Sequence, residues 1–138
     1  MATRVVLHPD ALAELISSPH GAVAQDLTVR AIRVQSRARE LVSGEYVKVR
    51  TGRLRNSITY EIAVTARGLS ARVGTNVTYA IWLHEGTGIY GARGAPITPK
   101  RGRFLVWTSP DTGQRIFARS VRGIRPRPFL RDALPAAR

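Results

Sequence analysis

The fold is decided by residues 21–42, which read GAVAQDLTVRAIRVQSRARELV. Apolar residues recur there at spacings of three and four, which places them on one face of an α-helix. This apolar stripe consists of Val23, Leu27, Ala31, Val34, Ala38 and Leu41. The opposite side of the helix carries Arg30, Arg33 and Arg37. Gly44 is the expected stop, because glycine readily adopts the left-handed conformation that ends helices. The pattern predicts one long amphipathic helix within residues 19–44.

Shorter elements flank this helix. Pro9 and Asp10 are typical of a helix start, so residues 1–18 are predicted to contain a short leading helix. On the other side, apolar and polar residues alternate in two runs separated by Arg67-Gly68, which predicts an antiparallel hairpin over residues 57–75. The compact apolar run Tyr79 to His84 fits a short helix or a strand, and we favour the helix.

The second half of the chain is rich in residues that interrupt regular structure. Five glycines and two prolines between Glu85 and Gly102 predict an extended loop over residues 85–103. A second hairpin is predicted over residues 104–122, and a C-terminal docking segment with a short helix over residues 126–138. Long loops of this kind are commonly functional, so we expect this one to act as an arm that reaches a neighbouring subunit.

Together these elements predict an α+β fold in a single domain spanning residues 1–138. The long N-terminal amphipathic helix is expected to pack on one antiparallel sheet of about four strands, beside the long Gly-rich loop and the short C-terminal helix. A chain of 138 residues that is 43% hydrophobic has enough apolar side chains for one core.

The composition narrows the classes of function. The chain has a net charge of +13 and no cysteine, which excludes disulfides and thiolate metal sites. Residues 93–138 contain eleven basic and two acidic residues, a net charge of +9. Nearly all the bases are arginines, whose planar fork suits carboxylates and phosphates. No run is long and apolar enough to span a membrane, so we expect a soluble protein that has acidic protein partners, nucleic acid partners, or both.

Residues 47–58, 73–87 and 127–134 carry three motifs that together resemble the neck or tail-completion family of long-tailed phages and related prophage proteins. Residues 47–58 (VKVRTGRLRNSI) resemble the family's Pro-Val-x-Thr-Gly-x-Leu-x-x-Ser-Ile segment, with Lys48 where proline is common. Residues 73–87 are similar to its strand, Tyr-Ala pair and Glu-Gly-Thr turn, and residues 127–134 (RPFLRDAL) to its Pro-Phe-Leu-x-x-Ala-Leu, with Asp132 replacing a frequent proline. The order and spacing of the three carry the resemblance, which covers roughly residues 20 to 135.

The resemblance implies a structural virion protein of the phage neck that forms a ring joining the DNA-filled head to the tail. Six or twelve copies are both compatible with phage symmetry, and we expect a hexamer. The implied partners are further copies of the chain, a head-side adaptor or stopper, the tail terminator and the tail tube. Non-specific contact with genomic DNA in the channel is also implied. The family offers no catalytic residue to carry over, so we expect no enzymatic activity, no cofactor, no metal and no membrane contact. The expected location is the virion, with assembly in the host cytoplasm.

Two sets of residues are candidates for this role. The candidate interface or DNA-channel residues are Arg53, Arg55, Arg93, Lys100, Arg101, Arg103, Arg122, Arg125 and Arg127. The structural residues of the family-like motifs are Thr51, Gly52, Leu54, Tyr79, Glu85, Gly86, Thr87, Pro128, Phe129 and Leu130. Because a ring repeats each inner arginine around its axis, passing DNA would meet a band of positive potential. The same arginines suit the acidic rims of neighbouring rings, and the sequence leaves both open.

Two other functions are kept as alternatives. A basic nucleic-acid-binding protein is one, because aromatic residues are interleaved with arginines in the C-terminal third, although alternation predicts these aromatics to be hairpin core residues. The other is a small ribonuclease-like toxin using His84 and Glu85. Adjacent residues of a strand point to opposite faces, which argues against a shared catalytic site if the pair lies on a strand.

Overall fold

The computed structural model describes residues 5–138 and has an α+β fold with helices and antiparallel strands. Residues 1–4, which belong to the predicted leading segment, lie outside the described residues. The described chain divides into two compact units. Unit 1 comprises residues 5–77 with 129–138, and unit 2 comprises residues 78–128. The expectation of a single domain stays a prediction.

Unit 1 is organised around the long helix that the sequence predicts. Helix α1 (Pro9–Ser17) is followed by α2 (Ala22–Glu40). The predicted stripe is confirmed in the second half of α2 and just beyond, where Ala31, Val34, Ala38 and Leu41 are buried. A wide turn over Leu41–Glu45 then ends the helix, with Gly44 at a φ of +135°. The predicted stop at Gly44 is therefore confirmed.

A short helix and a hairpin follow in unit 1. Helix α3 (Arg53–Ser57) leads into strands β1 (Thr59–Thr65) and β2 (Gly68–Gly74), which pair antiparallel from Thr59 opposite Gly74 to Thr65 opposite Gly68. Helix α2 packs against both strands. The hairpin is confirmed, but residues 53–57 form a helical turn that strand alternation does not reveal.

The C-terminal segment docks on α2 within the same unit. Helix α5 (Phe129–Ala133) continues into a 3-10 turn (Leu134–Ala137), and both contact α2. Phe129 and Ala133 are completely buried. Arg30 and Arg33 of α2 donate hydrogen bonds to the carbonyl oxygens of the last two residues, at 3.4 and 3.3 Å. The predicted short C-terminal helix is confirmed.

Asp132 has a direct contact within unit 1. The Tyr46 hydroxyl, just after the wide turn, donates a hydrogen bond of 2.7 Å to Oδ2 of Asp132. The hydrogen bond raises the pKa of Tyr46 above its usual value, and partial desolvation adds to the rise. Asp132 is the residue that departs from proline in the family-like motif, and here it ties α5 to the end of the long helix.

This contact predicts a pH dependence at the alkaline end. The pKa of Tyr46 is higher in the folded chain than its value of about 10 in the unfolded chain. The hydrogen bond therefore contributes its full stability below pH 10, and this contribution is lost as the pH rises through the folded-state pKa. We expect Tyr46→Phe to lower the free energy of unfolding at neutral pH, and the difference from the wild type to shrink above pH 10. Urea unfolding of both proteins at several pH values measures this difference in the free energy of unfolding.

The matched control for this prediction is Tyr60→Phe. Tyr60 is an exposed tyrosine of β1, and its hydroxyl makes no hydrogen bond among the described residues. Equal losses in the two variants, or a difference that persists unchanged above pH 10, would contradict the assigned role of the Tyr46 hydroxyl.

Unit 2 contains helix α4 (Ala80–Glu85), a 3-10 turn (Gly88–Tyr90) and strands β3 (Leu105–Thr108) and β4 (Arg115–Ala118). The preference for a helix over a strand at Tyr79 to His84 is thus confirmed. The second predicted hairpin is confirmed too, since β3 and β4 pair antiparallel around Gly113, whose φ is +68°.

The prediction of one sheet of about four strands is wrong. The four strands form two separate two-stranded sheets, β1–β2 in unit 1 and β3–β4 in unit 2. Alternation shows that a segment has two faces, but it does not specify which other strand lies beside it. The helix α2 therefore packs on a hairpin and not on a four-stranded sheet.

Candidate assembly surfaces

The Thr51-Gly52 turn fixes the start of α3. Gly52 has a φ of +68°, and its carbonyl oxygen accepts the Asn56 amide at 2.9 Å, while Thr51 Oγ1 accepts the Arg53 amide at 3.3 Å. Leu54 is buried by this turn, whereas Arg53 and Arg55 are exposed. The geometry leaves two arginines available to a partner of unit 1.

Ser57 and Ile58, at the end of the motif in residues 47–58, connect α3 to α2 and to the residue that follows β2. The Ser57 hydroxyl donates to the Leu54 carbonyl at 2.7 Å and lies 2.6 Å from the Thr75 hydroxyl beyond β2. The Ile58 carbonyl accepts two hydrogen bonds from α2, from Gln35 and Arg39, each at 2.8 Å. Sequence reasoning missed these α2 donors, since nothing local in residues 21–42 indicates what their polar side chains reach.

The Glu-Gly-Thr turn of unit 2 runs against residues 122–126. Thr87 makes two hydrogen bonds with Ile124. The Thr87 amide donates to the Ile124 carbonyl oxygen at 2.9 Å, and the Ile124 amide donates to Thr87 Oγ1 at 3.0 Å. The Ile89 amide donates to the Arg122 carbonyl at 2.9 Å. A side chain on Gly86 would meet backbone atoms of this segment at 2.9 Å, so only glycine fits. We call this pairing of residues 86–89 with 122–126 the glycine clip.

The predicted arm is therefore not free along its whole length. Besides the glycine clip, Ile97 and Val121 exchange two backbone hydrogen bonds of 2.8 and 2.9 Å. Thr98 and residues 100–103 are exposed between this bridge and β3. The expectation of an extended loop without regular structure is thus corrected to a loop that contains a 3-10 turn and is held by backbone pairing within unit 2.

The candidate basic residues fall into three groups. Arg53 and Arg55 lie on α3 of unit 1. Arg93, Lys100, Arg101 and Arg103 lie on the loop before β3, and all four are exposed. Arg122, Arg125 and Arg127 lie on the segment of unit 2 that includes the glycine clip, and they too are exposed. The guanidinium of Arg125 lies 5.5 Å from the centre of the Tyr90 ring, a cation–π contact that orients it.

The motif aromatics and their neighbours are placed differently. Phe129 is buried and Leu130 and Pro128 are partly buried, but Tyr79 and Glu85 at the two ends of α4 are exposed, and so is Trp82 between them. Tyr79 and Trp82 are therefore not core residues of the described chain, and both rings are accessible to a partner.

The aromatics of the second hairpin are also exposed, so their prediction as core residues is wrong. Phe104, Trp107 and Phe117 all present a large part of their rings to solvent. Phe104 stacks under the guanidinium of Arg119 at 5.9 Å. Helix α2 covers the two-stranded β1–β2 sheet, whereas no helix of unit 2 packs comparably on β3–β4 among the described residues, and this is the physical reason that alternation here does not produce burial.

The pair His84 and Glu85 lies on helix α4, so the argument from strand faces does not apply. Consecutive residues of a helix still diverge by about 100° around its axis. Within residues 5–138, no group of three or more His, Asp or Glu side chains is arranged to hold a metal ion. In the same residues, no helix is long and apolar enough to cross a membrane.

Comparison of the chain with protein-family models, with curated proteins and with solved structures gives no significant match. The family resemblance carried by the three motifs therefore stays a prediction.

Proposed function

We propose that this chain is a non-enzymatic structural subunit of a phage neck, which forms a ring between the DNA-filled head and the tail. The three family-like motifs support this proposal because each makes a defined joint. The Thr-Gly turn starts α3, the Glu-Gly-Thr turn forms the glycine clip, and the Pro-Phe-Leu segment docks α5 on α2. The partners in this proposal are further copies, the neighbouring head-side and tail-side proteins, and DNA in the channel.

The observation that carries the proposal is the exposed apolar surface of unit 2. Among residues 78–128, Ala80 is the one apolar side chain that is fully buried. The exposed large side chains of this unit are Tyr79, Ile81, Trp82, Ile89, Ile97, Phe104, Val106, Trp107, Ile116, Phe117 and Ile124. Large contiguous apolar patches are rare on monomeric proteins and usually mark interaction sites, and a unit with so little apolar burial and so many exposed apolar side chains is a candidate for one. Unit 2 thus has the composition of an assembly surface.

The charge of unit 2 indicates the chemistry of its partners. Residues 78–128 contain nine basic and two acidic residues, a net charge of +7. Exposed apolar side chains on a unit rich in arginine suit a protein interface with an acidic rim, where guanidinium and carboxylate groups fix the register. In a closed ring, the arginines on the inner face would repeat around the axis and face the DNA.

The test is the mass of the purified protein by light scattering, alone and mixed with the neighbouring neck proteins, at low and moderate salt. A defined oligomer, or a stable complex with those proteins, supports the proposal. A monomer at every concentration that binds none of them overturns it.

A second function is favoured by one specific observation. The exposed Phe104, Trp107 and Phe117 lie on a hairpin that also carries Arg115 and Arg119, and aromatic rings beside cations bind single-stranded nucleic acid by stacking. A nucleic-acid-binding protein should bind an oligonucleotide as a monomer, with an affinity that falls steeply as salt rises. Titration of a fluorescent single strand over a salt series, with the protein mass measured in parallel, distinguishes the two functions.

A further inference from the structure

The first described residues of unit 1 form an apolar segment that pairs with no strand of residues 5–138. Val5, Val6 and Leu7 are exposed and lie outside any helix or strand, and His8 after them has extended backbone angles (φ −95°, ψ 105°). In an extended strand, three consecutive apolar residues place side chains on both faces, so pairing on a sheet edge with apolar side chains on both faces would bury all three.

The β3–β4 hairpin of unit 2 offers what such a segment needs, which is a strand edge with exposed apolar side chains on both faces. Val106 lies opposite Phe117 on one face and Trp107 lies opposite Ile116 on the other, and all four side chains are exposed. Within the described part of the chain this sheet has two strands, so each strand has an outer edge that no other described strand pairs with. An extended apolar segment added to such an edge gains main-chain hydrogen bonds and apolar neighbours on both faces.

The charges of the two features are opposite. Residues 4–17 contain Arg4, Asp10 and Glu14, a net charge of −1. Residues 100–122 contain six basic residues and one acidic residue, a net charge of +5. Strand β3 carries no charged residue, whereas Arg115 begins β4 and Arg119 follows it. The charges therefore favour the β4 edge for a segment that continues into Asp10.

We propose that residues 5–7 of one copy add as a third strand to the β4 edge of the β3–β4 hairpin in a neighbouring copy. The contact rests on the proposed ring, whose subunit interface it specifies. It joins two different surfaces of the same chain, which is the head-to-tail type of interface that closes rings.

Mixed single-cysteine variants test the contact directly, because the natural chain has no cysteine. Val6→Cys and Phe117→Cys chains are mixed at assembling concentration and treated with a short bismaleimide. A covalent dimer is expected in the mixture, at least about tenfold above either variant alone. The control mixture pairs Val6→Cys with Val64→Cys, which lies on β1 of unit 1, and should give no such dimer.

A second pair of variants measures the strength of the contact. Val6 and Val64 are 59% and 58% exposed, so aspartate at either site costs the isolated chain little. Val6→Asp should raise the concentration needed for assembly by about tenfold or more, since a buried valine contributes at least one factor of ten. Val64→Asp should assemble like the wild type.

The outcomes separate this contact from the proposed function. If the wild type is oligomeric but the Val6–Phe117 mixture gives no dimer above the control, the contact is wrong and the ring stands. If the wild type stays monomeric and no mixture is linked, both fail. A chain carrying both cysteines that links only within itself would show that residues 5–7 occupy the chain's own hairpin, which also overturns the proposal.

Discussion

Replacing Phe129 with alanine is expected to lower the free energy of unfolding of unit 1 by about 3–5 kcal/mol, the usual cost of truncating a fully buried phenylalanine. Phe129 is 0% exposed at the start of α5, which packs on α2 and on the Leu41–Glu45 turn. Alanine there leaves a cavity between the C-terminal segment and the long helix, and α5 is too short to hold its place without that anchor.

Urea unfolding followed by the helical circular dichroism signal measures this loss, because α2 is the longest helix of the described chain. Phe117→Ala is the matched control, since the same atoms are removed from a side chain that is 60% exposed. The control measured at a protein concentration that keeps the chain monomeric should change stability by less than about 1 kcal/mol. Similar losses in both variants would mean that Phe129 does not anchor unit 1.

Most elements of unit 1, with the exception of α3, could be predicted from the sequence because their signals are local. Helix α2 has an apolar residue at every third or fourth position and a glycine at its end, and the burial of Ala31, Val34 and Ala38 follows from that period. The docking of Phe129 was likewise readable from the apolar face after Pro128. Tyr46 and Asp132 are 86 positions apart, so their hydrogen bond has no local signal.

The pairing and burial of strands could not be predicted in the same way. Both hairpins alternate and both form, but alternation does not reveal whether a second layer covers the apolar face. In unit 1 helix α2 supplies that layer for β1 and β2. In unit 2 the rings of Trp107 and Phe117 stay exposed, so the pattern that predicted core residues there describes an exposed apolar surface instead.

The glycines of unit 2 show a further limit of sequence reasoning. Their density between Glu85 and Gly102 predicts a loop, and it says nothing about a close approach to another segment. Gly88 and Gly123 lie 35 positions apart, yet a side chain on either would sit 2.1 Å from a backbone oxygen of the other segment. The glycine clip is therefore a long-range contact, and a single sequence does not reveal that its two segments lie side by side.

We expect Gly123→Ala to open the glycine clip. The added Cβ would lie 2.1 Å from the Thr87 carbonyl oxygen, which is backbone and has no rotamer to adopt, and the residue has a φ of +96°. Separating the segments removes the two bonds between Thr87 and Ile124 and the bond from Ile89 to Arg122. At about 1 kcal/mol for each bond and 1–2 kcal/mol for the backbone strain, the clip should lose roughly 4 kcal/mol.

Amide hydrogen exchange measures this opening, with the amides of Thr87, Ile89 and Ile124 expected to exchange much faster and those of β1 in unit 1 to stay unchanged. Gly94→Ala is the control, because Gly94 also has a positive φ (+60°) but has open space around the added Cβ. It should cost only the strain of about 1–2 kcal/mol and leave the clip amides protected. If both variants expose the clip equally, backbone strain explains the loss and the close approach of the two segments does not. If neither variant exposes these amides, the close approach of Gly123 to Thr87 does not control the pairing of residues 86–89 with 122–126, and the assigned role of Gly123 is wrong.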